Sequence, residues 1–108
     1  MTQQSPDRRF ELRRAASARG VVVAPGLELP CLIVDQSAGG LRIRLERSFA
    51  LTGKVIVIDL ARAMAIEGQV AWSKGLEVGL KLSGQTSLRG LVPSRFAAAR
   101  EAFRRAGG

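Results

Sequence analysis

The 108 residues suffice for one small domain, and they include one cysteine, no histidine and no tyrosine. Lysine and arginine total 17 against 9 acidic residues, a formal charge of +8, so an anionic partner is expected: a nucleotide, a nucleic acid or an acidic protein surface. Without histidine the chain lacks the usual metal ligand and the usual acid–base group at neutral pH, and its serines have no triad partner to activate them, so neither a catalytic site nor a metal site is expected.

The lone Cys31 allows no internal disulfide and no thiolate zinc cluster. No apolar run approaches the ~20 residues that span a bilayer, and residues 1–20 hold no apolar stretch of the signal-peptide kind. A cytoplasmic protein without membrane insertion is therefore expected.

In chain order, residues 1–7 (MTQQSPD) are polar, contain Pro6 and read as a disordered lead. Residues 8–18 read as an arginine-rich arm, with Arg8, Arg9, Arg13 and Arg14 interrupted by Phe10 and Leu12. Short apolar runs separated by turn residues follow. Arg19 to Ala24 carries Val21-Val22-Val23 and ends at Pro25-Gly26. Leu29 to Val34 has Pro30 near its start, where a strand tolerates proline. Asp35 to Gly40 is a tight loop. Leu41 to Leu45 alternates apolar and basic residues, a period-2 strand with one buried face.

Val55 to Ile58 is β-branched throughout and strand-like. Ala61 to Ala65 reads as a hairpin turn. Ala65 to Ser73 alternates through Ile66, Val70 and Trp72, with Gly68 marking a bulge. After Lys74-Gly75, residues Leu76, Val78, Leu80 and Leu82 give the cleanest alternation in the chain. Six strands at this spacing predict an antiparallel barrel or sandwich over 19–83. Residues 93–106 are alanine- and arginine-rich and predict a helix, with Ser94 as its cap or Pro93 in its first turn. Phe96, Ala99 and Phe103 form its apolar stripe.

Two motifs carry candidate chemistry. Arg9-Phe-Glu-Leu-Arg13 is an Arg-x-x-x-Arg, flanked by Arg8 and Arg14. Asp35-Gln-Ser37-Ala-Gly39-Gly40 is an Asp-x-Ser-x-x-Gly loop between two strands. Singly, each is ordinary: fourteen arginines give chance spacings, and Asp, Ser and Gly are common turn residues. Together and in this order they are far more specific.

In these motifs the chain resembles the PilZ domain family, bacterial receptors for cyclic di-GMP. The later segments Val70-Ala-Trp72 and Leu76-Glu-Val78-Gly79-Leu80-Lys-Leu82 resemble that family's closing strands, with Leu82 where phenylalanine is commoner. The resemblance spans roughly residues 8–105. It implies a mainly β fold: a six-stranded antiparallel barrel of the split-barrel type with a C-terminal α-helix, as one domain over 8–106.

It also implies a non-enzymatic receptor that binds cyclic di-GMP through Arg9, Arg13, Asp35, Ser37, Gly39 and Gly40, then signals to a downstream protein. The ligand needs no further cofactor. Arg8, just before the first motif arginine, implies two stacked ligands per domain. The chemistry fits: an arginine fork matches the guanine O6/N7 edge, and a carboxylate accepts from N1–H and N2–H. Two other readings stand beside it. One is an adaptor that binds no nucleotide, against which the motif arginines count. The other is a basic barrel for single-stranded nucleic acid, which this chain's few aromatics suit poorly.

Among the remaining residues, Trp72 reads as core or barrel rim. Arg42 and Arg44 share a strand face and read as solvated. Cys31 reads as a buried small hydrophobe. Asp59, Glu67 and Glu77 form no recognisable carboxylate pair. The terminal helix reads as packing that also offers an output surface, and the arginines over 89–105 have no assigned role.

Overall fold

The computed structural model describes residues 18–107. The lead, nearly all of the arm, and with them Arg8, Arg9 and Arg13, lie outside the described residues. Six strands form: β1 (Ala18–Ala24), β2 (Leu27–Gln36), β3 (Gly40–Leu45), β4 (Lys54–Asp59), β5 (Met64–Lys74) and β6 (Glu77–Ser87). They close a barrel in the order β1-β2-β3-β6-β5-β4, with β4 returning to β1, and every neighbouring pair is antiparallel. A short 3₁₀ turn (Ser94–Phe96) leads into the helix α1 (Ala97–Arg105). The expected fold class is the one observed.

The apolar pattern explains the closure. Inward positions on successive strands meet in one interior cluster, including Val22, Ile33, Ile43, Val57, Ile66 and Val78. Closing the sheet leaves no long edge open to pairing with another chain. Leu51, on the connection that crosses from β3 to β4, is buried in the same cluster.

A second cluster lies outside the barrel wall. Val23, Ile58, Ala65 and Leu88 pack there against Phe96, Ala99 and Ala102, with Val21, Ile56 and Phe103 partly buried beside them. This accounts for the unbroken runs Val21-Val22-Val23 and Val55-Ile56-Val57-Ile58. Those strands are buried on both faces, so alternation disappears from the sequence. On β3 the outer face is uncovered by α1, and alternation with arginine survives.

The helix begins later than its composition predicts. Ser94 makes no capping side-chain hydrogen bond; instead Phe96 N–H donates to the Pro93 carbonyl at 2.9 Å, closing a 3₁₀ turn. Phe96 then sits outside α-helical geometry at φ −105°, ψ 11°, and this places its fully buried ring under the helix. At the far end Arg105 forms an ion pair with Glu28 of β2 and ties α1 to the wall. Pro30 pairs with Val21 on one side, while β3 stops at Leu45 opposite Cys31. Proline therefore occupies a stretch of β2 with a partner strand on one side, as its missing N–H requires.

Candidate functional site

Three bulges interrupt the ladders, and two of them build one surface. On β2 the register shifts between Ile33 and Asp35, leaving Val34 as the extra residue. Strict alternation after Cys31 and Ile33 would turn Asp35 into the apolar interior. The bulge reverses the phase, and Asp35 pairs with Arg42 on the outer face. On β5 the register shifts between Val70 and Trp72, leaving Ala71 as the extra residue. Val70 packs on the interior cluster, and the bulge turns Trp72 outward onto Gly79. The third bulge adjoins Gly68 as predicted, although the extra residue there is Ser83 on the partner strand.

The result is a continuous outward row across four strands. Asp35 of β2 pairs with Arg42 of β3, Arg42 with Gly79 of β6, and Gly79 with Trp72 of β5. Neighbouring strands are about 4.8 Å apart, so this row spans roughly 14 Å from end to end. The Trp72 indole lies over Gly79 so closely that a Cβ there would collide with the ring. Gly79 is consequently buried while Trp72 remains 45% exposed. Trp72 is not a core residue. The glycine facing it, in an otherwise apolar alternating strand, was the sequence signal for this arrangement.

Above the row sits the loop between β2 and β3. Ser37 N–H donates to the Gly40 carbonyl at 2.9 Å, and Leu82 N–H donates to the Gly39 carbonyl at 3.1 Å, which fastens the loop to β6. Asp35 and Gln36 belong to β2, so the loop is shorter than the motif that names it. Neither Gly39 nor Gly40 has a positive φ, and a Cβ at either position meets only open space or ordinary contacts. Backbone geometry does not demand glycine here. The absent side chains leave the loop's surface open instead.

Loop and row together enclose a depression of about 300 Å³, lined among others by Asp35, Ser37, Gly40, Arg42, Trp72 and Lys81. Gly39 also lines it. The four candidate residues that fall within the described chain thus share one site, and the structure adds Arg42, Trp72 and Lys81 to them. Arg42 is half-buried and donates from Nη1 to Glu77 Oε1 at 3.3 Å. Arg44 Nη1 lies 3.9 Å from Glu77 Oε2 on the more exposed side. Two larger depressions, of about 640 and 670 Å³, lie beside α1. The first contains the Glu28–Arg105 pair, and the second is mainly aliphatic, so neither gathers the motif residues.

The buried Cys31 belongs to the interior cluster and borders the first of these depressions, and burial pushes its thiol from 9.0 up to about 12. Asp59, the buried acid of the β4–β5 turn, accepts from Arg62 N–H at 3.2 Å and has a structural task. Among the described residues, no group of three or more metal-ligating side chains gathers in one place. No described helix is long and apolar enough to cross a membrane.

Comparison with known proteins adds one family. The family model described as PilZ domain matches residues 7–91, taking in both motifs and all six strands. No curated protein and no solved structure matches the chain.

Proposed function

The chain belongs to the PilZ domain family, whose members are cyclic di-GMP receptor domains, and on that basis we propose that it binds cyclic di-GMP through the depression between the Asp35–Gly40 loop and the Asp35–Arg42–Gly79–Trp72 row. PilZ domains are binding and adaptor modules rather than enzymes, and this chain is read as one of them.

One observation carries the proposal. Two bulges turn a carboxylate and an indole out of the barrel into the same depression, beside the open loop. A guanine needs both groups: an acceptor for its N1–H and N2–H edge, and a flat apolar face for its ring. In this reading Asp35 accepts from the guanine, Trp72 stacks on it, and Ser37 with the backbone of Gly39 and Gly40 completes the polar rim.

The depression, of about 300 Å³, takes only part of the ligand in this reading. Arg9 and Arg13 of the arm supply the rest, gripping phosphate or the guanine O6/N7 edge and closing over the dinucleotide. Arg8 would hold a second, stacked ligand. The arm and ligand then form a new surface for a downstream protein in the bacterial cytoplasm.

Calorimetric titration with cyclic di-GMP, with GTP as control, tests this. The wild type should bind the cyclic dinucleotide at two per chain and ignore GTP. Arg9→Ala with Arg13→Ala should weaken binding by roughly 1.5–3 kcal/mol for each lost charged contact. Unchanged affinity in that double variant would remove the arm from the mechanism, and a ratio of one would remove the role given to Arg8.

A further inference from the structure

Resting on the cyclic di-GMP reading, we infer that Arg42 is a further cationic contact for the ligand and that Glu77 holds it in reserve until the ligand arrives. Neither residue belongs to the two sequence motifs. Arg42 occupies the centre of the outward row, between Asp35 and Gly79, and lines the depression.

Its present bonding is incomplete. One guanidinium nitrogen reaches Glu77, at the long distance of 3.3 Å. Its Nε is buried and has no hydrogen-bond partner among the described residues. A buried donor without an acceptor is unfavourable, so this pose is held weakly. A phosphate or guanine edge in the depression offers the paired acceptors that a guanidinium fork matches best.

Glu77 is arranged to release Arg42 at low cost. It also lies within ion-pair distance of Arg44, its direct neighbour across the β3–β6 ladder. When Arg42 turns to the ligand, the Glu77 carboxylate keeps Arg44. Arg42 is a binding residue in this account, and Glu77 a positioning residue that acts through it.

The test is a set of cyclic di-GMP titrations on the full chain, each variant first checked by a thermal melt. Arg42→Ala should weaken binding roughly 10- to 100-fold, the range of a lost charged hydrogen bond. Arg42→Lys, which keeps the charge and loses the fork, should fall between Arg42→Ala and wild type. Glu77→Gln should tighten binding by about two- to fivefold, the scale of a partly exposed ion pair. Its gain should vanish in the Arg42→Ala background.

Tighter binding cannot come from a damaged fold, so Glu77→Gln reports even where Arg42→Ala fails to fold. A wild type that ignores cyclic di-GMP overturns the receptor reading and this inference with it. A wild type that binds, with Arg42→Ala equal to it, overturns the inference alone. Weaker binding by Glu77→Gln would make Glu77 a support for Arg42, and would overturn its reserve role.

Discussion

Under the helix, the outer faces of β1 and β4 carry Val21, Val23, Ile56 and Ile58; on the other side of the wall, β2, β3, β6 and β5 carry Asp35, Arg42, Gly79 and Trp72. Both faces stand on the same apolar interior. The first is regular, continuous and covered by Phe96, Ala99 and Ala102. The second is bulged, mixed in polarity and open. Regular alternation suffices to build the covered face, whereas the open face exists because two extra residues, Val34 and Ala71, break it. Bulges commonly re-aim side chains beside sites, and here each one rotates a single chemistry-bearing residue out of the core.

The covered face should be the more sensitive to truncation. Phe96 is fully buried between α1 and the wall, so Phe96→Ala is expected to cost about 3–5 kcal/mol, read from denaturant unfolding. The variant's folded fraction should still bind cyclic di-GMP, since Phe96 lies in the other cluster. A small stability loss, or a matching loss of affinity, would dissolve the distinction between the faces.

The shared interior can be probed by pH. The Cys31 thiol has its pKa raised by burial, from 9.0 to about 12. Below pH 9 it is neutral in both folded and unfolded chains, and its full contribution is present. As pH rises through the window from 9 to about 12, the unfolded chain ionises first and the folded state holds more protons, so stability falls. The shift corresponds to roughly 4 kcal/mol at most. Unfolding midpoints at pH 8 and pH 11 should separate more for the wild type than for Cys31→Ala. Equal separation would mean that water reaches the thiol.

On the open face the effects should be smaller in stability and larger in binding. Trp72→Ala removes the stacking surface and should weaken cyclic di-GMP binding by about 1–3 kcal/mol. Gly79→Ala should do nearly as much without touching the ligand, because its methyl group displaces the indole. A Gly79→Ala protein with unchanged affinity would show that Trp72's position over β6 is incidental.

How much of this the sequence disclosed follows from the same contrast. Strand number, order of elements and the barrel are legible because inward apolar positions recur with period 2. Runs buried on both faces still read as strands through their β-branched residues. Two of the three bulges carry no composition signal of their own. Val34 and Ala71 look like any strand residues, so alternation assigns Trp72 to core or rim and ends the strand at Val34, with Asp35 in the loop. Gly68 did betray its bulge, because glycine is uncommon within a strand. The last stretch of β6, Gly84–Ser87, has no apolar residue to mark it as strand. Asp35, Ser37, Gly39 and Gly40 were legible through a motif, whereas Arg42 and Lys81 enter the site only through cross-strand pairing. The late start of α1 depends on Phe96 reaching under the helix, a tertiary effect that overrides the Ser94 cap signal.

The central claim is that the bulged outer face, and not the covered one, receives the ligand. Trp72 is the chain's single tryptophan and there is no tyrosine, so intrinsic fluorescence reports on this face alone. Titration with cyclic di-GMP should quench Trp72 emission saturably, with the same midpoint as calorimetry, while GTP leaves it unchanged. Calorimetric binding that leaves the emission of Trp72 untouched would contradict the account.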